Sequence, residues 1–176
     1  MPGGNNNMKK GVTIVEMIVY VAILSLIATA FVTMSINMLS LKSKTVSQQE
    51  IGSNLRFISQ KINYEIRNAK AISATTATSI TLTTVDGSRS PTVFDLSGGD
   101  IRMGFGSGGF CPTTSPCVLN SSMVNISTFS VIDMSDAGGN TENVKYVLTG
   151  NYINNTGRAD FAANGSINSS AEIRSR

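Results

Sequence analysis

Histidine and tryptophan are absent from the 176 residues. Without histidine the chain lacks the usual general base near neutral pH, a common zinc ligand and the usual member of a hydrolytic triad. Most common hydrolase and metalloenzyme designs are excluded on that ground. The chain reads as a non-enzyme, with no cofactor and no metal. Cysteine is scarce: Cys111 and Cys117 are the whole complement. Two thiols without histidine fall short of a zinc site, and their separation is wrong for a Cys-x-x-Cys redox pair. Charged residues make up 14%, against roughly 25% in ordinary soluble domains. Proline does not occur between Pro2 and Pro91, so nothing there forces a helix to break.

What occupies that proline-free stretch is a long apolar run. From Met17 to Asn37 there is no charge, no proline and no glycine. A bilayer core needs about 20 such residues. The run is preceded by Lys9-Lys10-Gly11-Val12-Thr13-Ile14-Val15-Glu16. One carboxylate, Glu16, therefore stands at the head of an apolar helix, where insertion costs roughly 2.5–3.5 kcal/mol. An ordinary secretory signal has an apolar core of about 7–15 residues and is too short to match.

Basic residues, a glycine, an apolar residue, a glutamate four positions on and a long apolar run resemble the class III leader of type IV pilins, pseudopilins and competence pilins. The resemblance covers roughly residues 8–40. It implies cleavage by a prepilin peptidase between Gly11 and Val12, with Lys9 and Lys10 as the basic flank, then methylation of the new N-terminus at Val12. It also implies that Glu16 meets the positive terminal amine of a neighbouring subunit, since buried opposite charges are tolerated as pairs. Two features depart from the commoner pattern. Val12 stands where Phe or Met is usual, and no proline follows about 20 residues into the mature helix. Met8-Lys9-Lys10-Gly11 would be a complete leader without the seven residues before it.

Beyond the apolar run the helical pattern continues. Ile51, Leu55, Ile58, Ile62, Ile66, Ala69 and Ile72 fall three or four apart on one face. The spacing predicts one helix from about Thr13 to Ala71, roughly 85–90 Å long at 1.5 Å per residue. Basic residues concentrate on it: Lys42, Lys44, Arg56, Lys61, Arg67 and Lys70 against Glu50 and Glu65. After Ala71 acidic residues slightly outnumber basic ones, which does not indicate a nucleic-acid surface.

From Ser73 the texture turns to β. Ile80 and Leu82 alternate with threonines. Val93–Leu96, a Ser97-Gly98-Gly99-Asp100 turn and Ile101–Met103 read as a hairpin. Val124, Ile126, Phe129 and Val131 predict a bulged strand, and Val144, Tyr146 and Leu148 another. Ala171–Arg174 is a candidate closing strand, and Asn151–Ser170 reads as a long surface loop. The expected architecture is α+β: a long N-terminal helix, membrane-spanning in its first half, packed on a C-terminal antiparallel sheet. The divisions are a leader at 1–11, a transmembrane or filament-core half at 12–38, an amphipathic half at 39–72 and a sheet domain at 73–176.

The Gly104–Gly109 stretch matches G-x-G-x-x-G but is followed by Phe110-Cys111-Pro112, with no crossover helix, so a dinucleotide site is rejected. If the sheet domain lies outside the cytoplasm, an oxidising compartment favours a Cys111–Cys117 disulfide.

The expected function is structural. It is a subunit, of the minor class, in a type IV pilus or related pseudopilus of a pilus, secretion or competence system. It starts as a single-pass protein of the cytoplasmic membrane and ends in an extracellular or periplasmic filament. The implied partners are other pilin subunits, the peptidase and methyltransferase, an assembly platform and its ATPase. Nucleic acid is a partner the charge distribution does not indicate. Two alternatives belong to other classes. One is a tip adhesin or a DNA- or substrate-binding module. The other is a plain signal-anchored envelope protein, which leaves Glu16 and the preceding glycine unexplained.

Overall fold

The computed structural model describes residues 11–106, 117–136, 141–154, 157 and 159–174. The chain divides into two units, Met1–Lys42 and Ser43–Arg176. A single helix, α1 (Ile14–Asn68), supplies the regular structure of the first unit and the first element of the second.

In the first unit, Thr13 caps α1. Its Oγ1 accepts the Glu16 N–H at 3.3 Å, and its carbonyl accepts the Met17 N–H at 3.1 Å. A side-chain acceptor here satisfies an amide that has no partner inside the helix. The large apolar side chains from Val12 to Leu41 are exposed. Nothing in the described chain covers them, and the helix is long and apolar enough to cross a membrane. Its hydroxyls are compatible with lipid because they bond backward. Ser25 donates to Ala22 O at 2.8 Å, Thr29 to Ser25 O at 2.8 Å and Ser35 to Phe31 O at 2.9 Å. No hydroxyl in these pairs needs water.

In the second unit, α1 changes character. Ile51, Leu55, Ile58, Ile62 and Ile66 are buried along one stripe, as the spacing predicts. Among the described residues eight strands follow, in two antiparallel sheets. The first is a meander of β1 (Ala69–Thr76), β2 (Ser79–Thr84), β3 (Thr92–Ser97), β4 (Asp100–Phe105) and β5 (Cys117–Val118). The second contains β6 (Val124–Asp133), β7 (Asn143–Tyr152) and β8 (Asn164–Glu172). One core unites the helix stripe with Ile80, Leu82, Phe94 and Ile101 from the first sheet. Ile126, Phe129, Tyr146 and Leu148 come from the second. Burying a large side chain of this kind contributes roughly 1.5–3 kcal/mol.

Hairpin tips of the first sheet join the sheets by closing the outer edge of β6. The Ile126 N–H donates to Gly99 O at 2.8 Å and the Val131 N–H to Ala77 O at 3.2 Å. An open strand edge would otherwise present unpaired amides. Gly99 has φ +91°, and a Cβ there would lie 2.2 Å from Asn125 Nδ2. Both the turn and the close approach therefore demand glycine. Asn120 provides a second joint. Its Oδ1 accepts the Ile101 N–H at 2.9 Å and its Nδ2 donates to Val124 O at 2.7 Å.

The predicted hairpin and its Gly98-Gly99 turn are present as β3–β4. The bulge in β6 falls between Ile126 and Thr128. Three features differ from the sequence expectation. The helix ends at Asn68, and Ala69–Thr76 is a strand. Ala69 and Ile72 continue the helical spacing, but the buried Ala69 and half-buried Ile72 meet the core from β1. The closing strand begins at Asn164, inside the stretch expected to be a loop. Its inward positions, Gly165, Ile167, Ser169 and Ala171, alternate in burial but are mostly small or polar. They are small because α1 lies close: a Cβ on Gly165 would sit 2.7 Å from Ile51 Cγ2 and 3.2 Å from Leu55 Cδ1. Finally, the strands form two sheets where one was expected.

Candidate processing and assembly site

The segment that carries the leader-like pattern is built by the start of α1. Gly11, Val12 and Thr13 precede the helix and have no regular structure. Gly11 is exposed, with nothing within 4 Å of where a Cβ would stand. The Gly11–Val12 bond therefore lies in open, non-helical backbone two residues before the first helical position. That is a conformation a protease can engage, because the bond is not held in a hydrogen-bonded ladder. Lys9 and Lys10 lie outside the described residues.

Glu16 stands in the first turn of α1. The sequence Thr13-Ile14-Val15-Glu16 has capping-box spacing. Its hydroxyl half is formed, but the carboxylate turns the other way. Glu16 Oε1 accepts a hydrogen bond from the Tyr20 hydroxyl at 3.1 Å. Sequence reading missed Tyr20, although the i,i+4 spacing puts the two side chains on one face. Near the helix N-terminus the carboxylate also meets the positive end of the helix dipole.

Residues 6–32 match the family described as the prokaryotic N-terminal methylation motif. Over those residues the chain carries a prepilin-type N-terminal methylation motif. The match spans the basic pair, Gly11, Val12, Glu16 and most of the apolar run. It accounts for the glycine before the helix and the single carboxylate within it, neither of which a plain anchor requires. No curated protein and no solved structure matches the chain. The likeness to prepilins thus rests on the leader motif. The fold beyond it is a long N-terminal helix followed by antiparallel strands, a pilin-like architecture.

The other sequence candidates fall elsewhere. Cys117 opens β5, at the edge of the first sheet; Cys111 lies outside the described residues. Of the glycine-rich stretch, Gly104 and Phe105 end β4, and Gly106 follows with φ +67°. The remainder of the stretch lies outside the described residues. Among the described residues no group of His, Cys, Asp and Glu is arranged to hold a metal.

Proposed function

We propose that the chain is a structural subunit of a type IV pilus or related pseudopilus, of the minor class. The observation that carries this reading is Glu16. It is the lone carboxylate in the first turn of an uncovered apolar helix, directly after an open Gly11–Val12 bond, within the matched leader motif. Cleavage at that bond creates a cation on Val12, which is then methylated. Each new subunit's amine meets the Glu16 carboxylate of a neighbour, and the attraction draws the helix from the bilayer into register. Residues 12–38 then pack between subunits, replacing lipid contacts with helix contacts. The sheet domain, outside the cytoplasm, carries a Cys111–Cys117 disulfide. An assembly platform and its ATPase supply the energy. The minor role is supported by the resemblance of the Asn54–Ala69 stretch and of Glu172-Ile173-Arg174 to larger minor pilins and pseudopilins.

The test is peptide mass spectrometry of sheared filaments and membranes from the native host. A methylated peptide beginning at Val12 is expected in the filament fraction, at low abundance relative to other pilins. An unprocessed N-terminus confined to membranes, with an active peptidase present, would mean a plain anchor. High abundance would make it a major subunit.

A further inference from the structure

β8 is an outer strand of the second sheet, and its far edge is bare. Ala163 O accepts the Tyr152 N–H at 3.0 Å and Glu142 O accepts the Ile173 N–H at 3.1 Å, one residue beyond each end of the strand. Between those points the β7–β8 register has no shift. In an antiparallel pair the bonded positions recur at every second residue. The odd-numbered residues of β8 therefore direct their N–H and C=O groups to β7, and those of Asn164, Ser166, Asn168, Ser170 and Glu172 point away from it. Among the described residues nothing bonds these outward groups. The opposite edge of the same sheet is closed, since Gly99 O and Ala77 O take outward amides of β6. Edge strands are ordinarily guarded by proline, lysine, a bulge or shortness. β8 is 9 residues long, with no proline, no lysine and no bulge.

Cavities lie where β8 meets α1. Near the start of β8, one of about 190 Å³ is lined by Gln48, Gly52 and Arg56 of α1 and by residues 164–167. Another, of about 480 Å³, shares Gln48 and Asn164 and adds Lys44. Near the end of β8, one of about 280 Å³ is lined by Arg67, Ser170, Glu172 and Arg174 among others. Gly52 sits in a helix interior, where glycine is less favourable than alanine. The fold does not require it, because a Cβ there would meet nothing closer than Arg56 Nη2 at 4.0 Å. Its bare backbone leaves room in the cavity wall beside β8. Lys44, Arg56, Arg67 and Arg174 are exposed, and among the described residues none is in an ion pair. Glu172 is the one acid beside them in these cavity walls, among the described residues.

Donors and acceptors repeating every second residue, about 6.6 Å apart, match another extended main chain. We propose that the β8 edge docks an extended acidic segment of a partner protein, which adds as a fourth strand to the second sheet. Its main chain bonds the outward groups from Asn164 to Glu172, and acidic side chains at alternate positions meet Arg56 and the other cations of the cavity walls. A second copy of β8 fits less well, since its outward residues bring a single acid, Glu172, to those cations.

The test uses the full chain in detergent micelles, titrated with the peptide acetyl-Glu-Val-Glu-Thr-Glu-Val-Glu-amide and with the same peptide carrying lysine in place of glutamate. Calorimetry reads binding, and backbone amide exchange reads its place. Saturable binding of the acidic peptide is expected, with slowed exchange at the Ser166, Asn168 and Ser170 amides. Asn168→Pro removes one outward N–H and leaves the bonds to β7 in place, so it should weaken binding about tenfold or more. Arg56→Gln should also weaken it. Gly52→Leu suits a helix and fills the cavity wall. It should weaken binding while thermal melts show a domain no less stable, which keeps the test usable should Asn168→Pro unfold. Absence of saturable binding overturns the proposal, as does equal binding of the lysine peptide. Binding without slowed exchange at those amides would be ion pairing alone. Slowed exchange that grows with protein concentration in the absence of peptide would make the edge a contact between copies. Either result rejects the acidic strand.

Discussion

At the residue scale, two polar groups in apolar settings are handled in opposite ways. Among the described residues Glu16 has one side-chain partner, the Tyr20 hydroxyl, and it lies on a helix that nothing in the described chain covers. Among the described residues nothing bonds its second oxygen, Oε2. Glu16→Ala is expected to leave cleavage at Gly11 intact while sharply reducing incorporation into filaments, read by immunoblotting processed subunit in membrane and sheared fractions. Normal incorporation would remove the charge-pairing role. Tyr146 is instead fully enclosed. Its hydroxyl lies 2.9 Å from Ser59 Oγ, 3.0 Å from Ser59 O and 2.9 Å from Asn63 Oδ1, and its ring meets Phe129 edge-on. Burial pushes its phenol pKa up, with hydrogen bonds from Ser169 and Ser59 opposing. The folded protein therefore holds this proton where the unfolded chain has lost it. The contribution is constant below the unfolded value of about 10 and is lost as pH rises from there through the folded value. Tyr146→Phe should cost about 1–3 kcal/mol near neutral pH by stranding Ser59 and Asn63. Its deficit should shrink above pH 10, as chemical denaturation at several pH values would show. A deficit that stays constant with pH would contradict the burial argument.

At the element scale, contact between α1 and β8 depends on the absence of a side chain. Gly165 pairs with Gly150 across the strands and leaves room for Ile51 and Leu55 above it. Gly165→Val places branched atoms where Ile51 Cγ2 already stands. It should destabilise the domain by about 1–3 kcal/mol, the usual cost of overpacking, as measured by denaturant midpoint. Unchanged stability would mean that the helix moves away at little cost. The end of α1 is decided by similar tertiary contacts. The Asn68 side chain donates to Tyr64 O at 2.8 Å, Arg174 N–H reaches Arg67 O, and Ala69 enters a strand paired with β2. Alanine favours helix, so local propensity alone would carry α1 further. Pairing with β2 and burial of Ala69 override it.

At the scale of the whole molecule, the two units differ in what they leave exposed. Residues from Val12 to Leu41 expose apolar side chains throughout, whereas the second unit encloses its own core with a helix stripe and two sheets. A chain beginning at Ser43 should therefore be soluble and melt cooperatively. Its transition temperature should fall within a few degrees of that of the full chain in detergent, about what a 1 kcal/mol change produces at this size. Circular dichroism melts of both would show it. Aggregation of the shortened chain without a transition would mean that the first unit contributes to the core. The same division explains the mean composition: a chain with low charge overall is an apolar helical segment joined to a polar β domain.

The leader, the apolar run and the helix stripe were legible in the amino-acid sequence because each is a local pattern: a motif of adjacent residues, a composition or a 3.6-residue period. Glu16 was legible because a carboxylate is conspicuous among apolar residues, and the β3–β4 hairpin because Gly98-Gly99 demands positive φ. Tyr20 as its partner was available from the i,i+4 spacing alone. What only the tertiary structure decided depends on approach between distant segments. β8 has Gly165 and Ser169 among its inward positions because α1 lies against it, so its hydrophobic alternation is weak despite Ile167 and Ala171. The division into two sheets rests on hairpin tips reaching the edge of β6. The segment after β8 returns to the end of α1, where the Arg174 N–H reaches Arg67 O, 107 positions apart in the chain. Periodicity carries no information about such meetings; packing and hydrogen bonding across the core determine them.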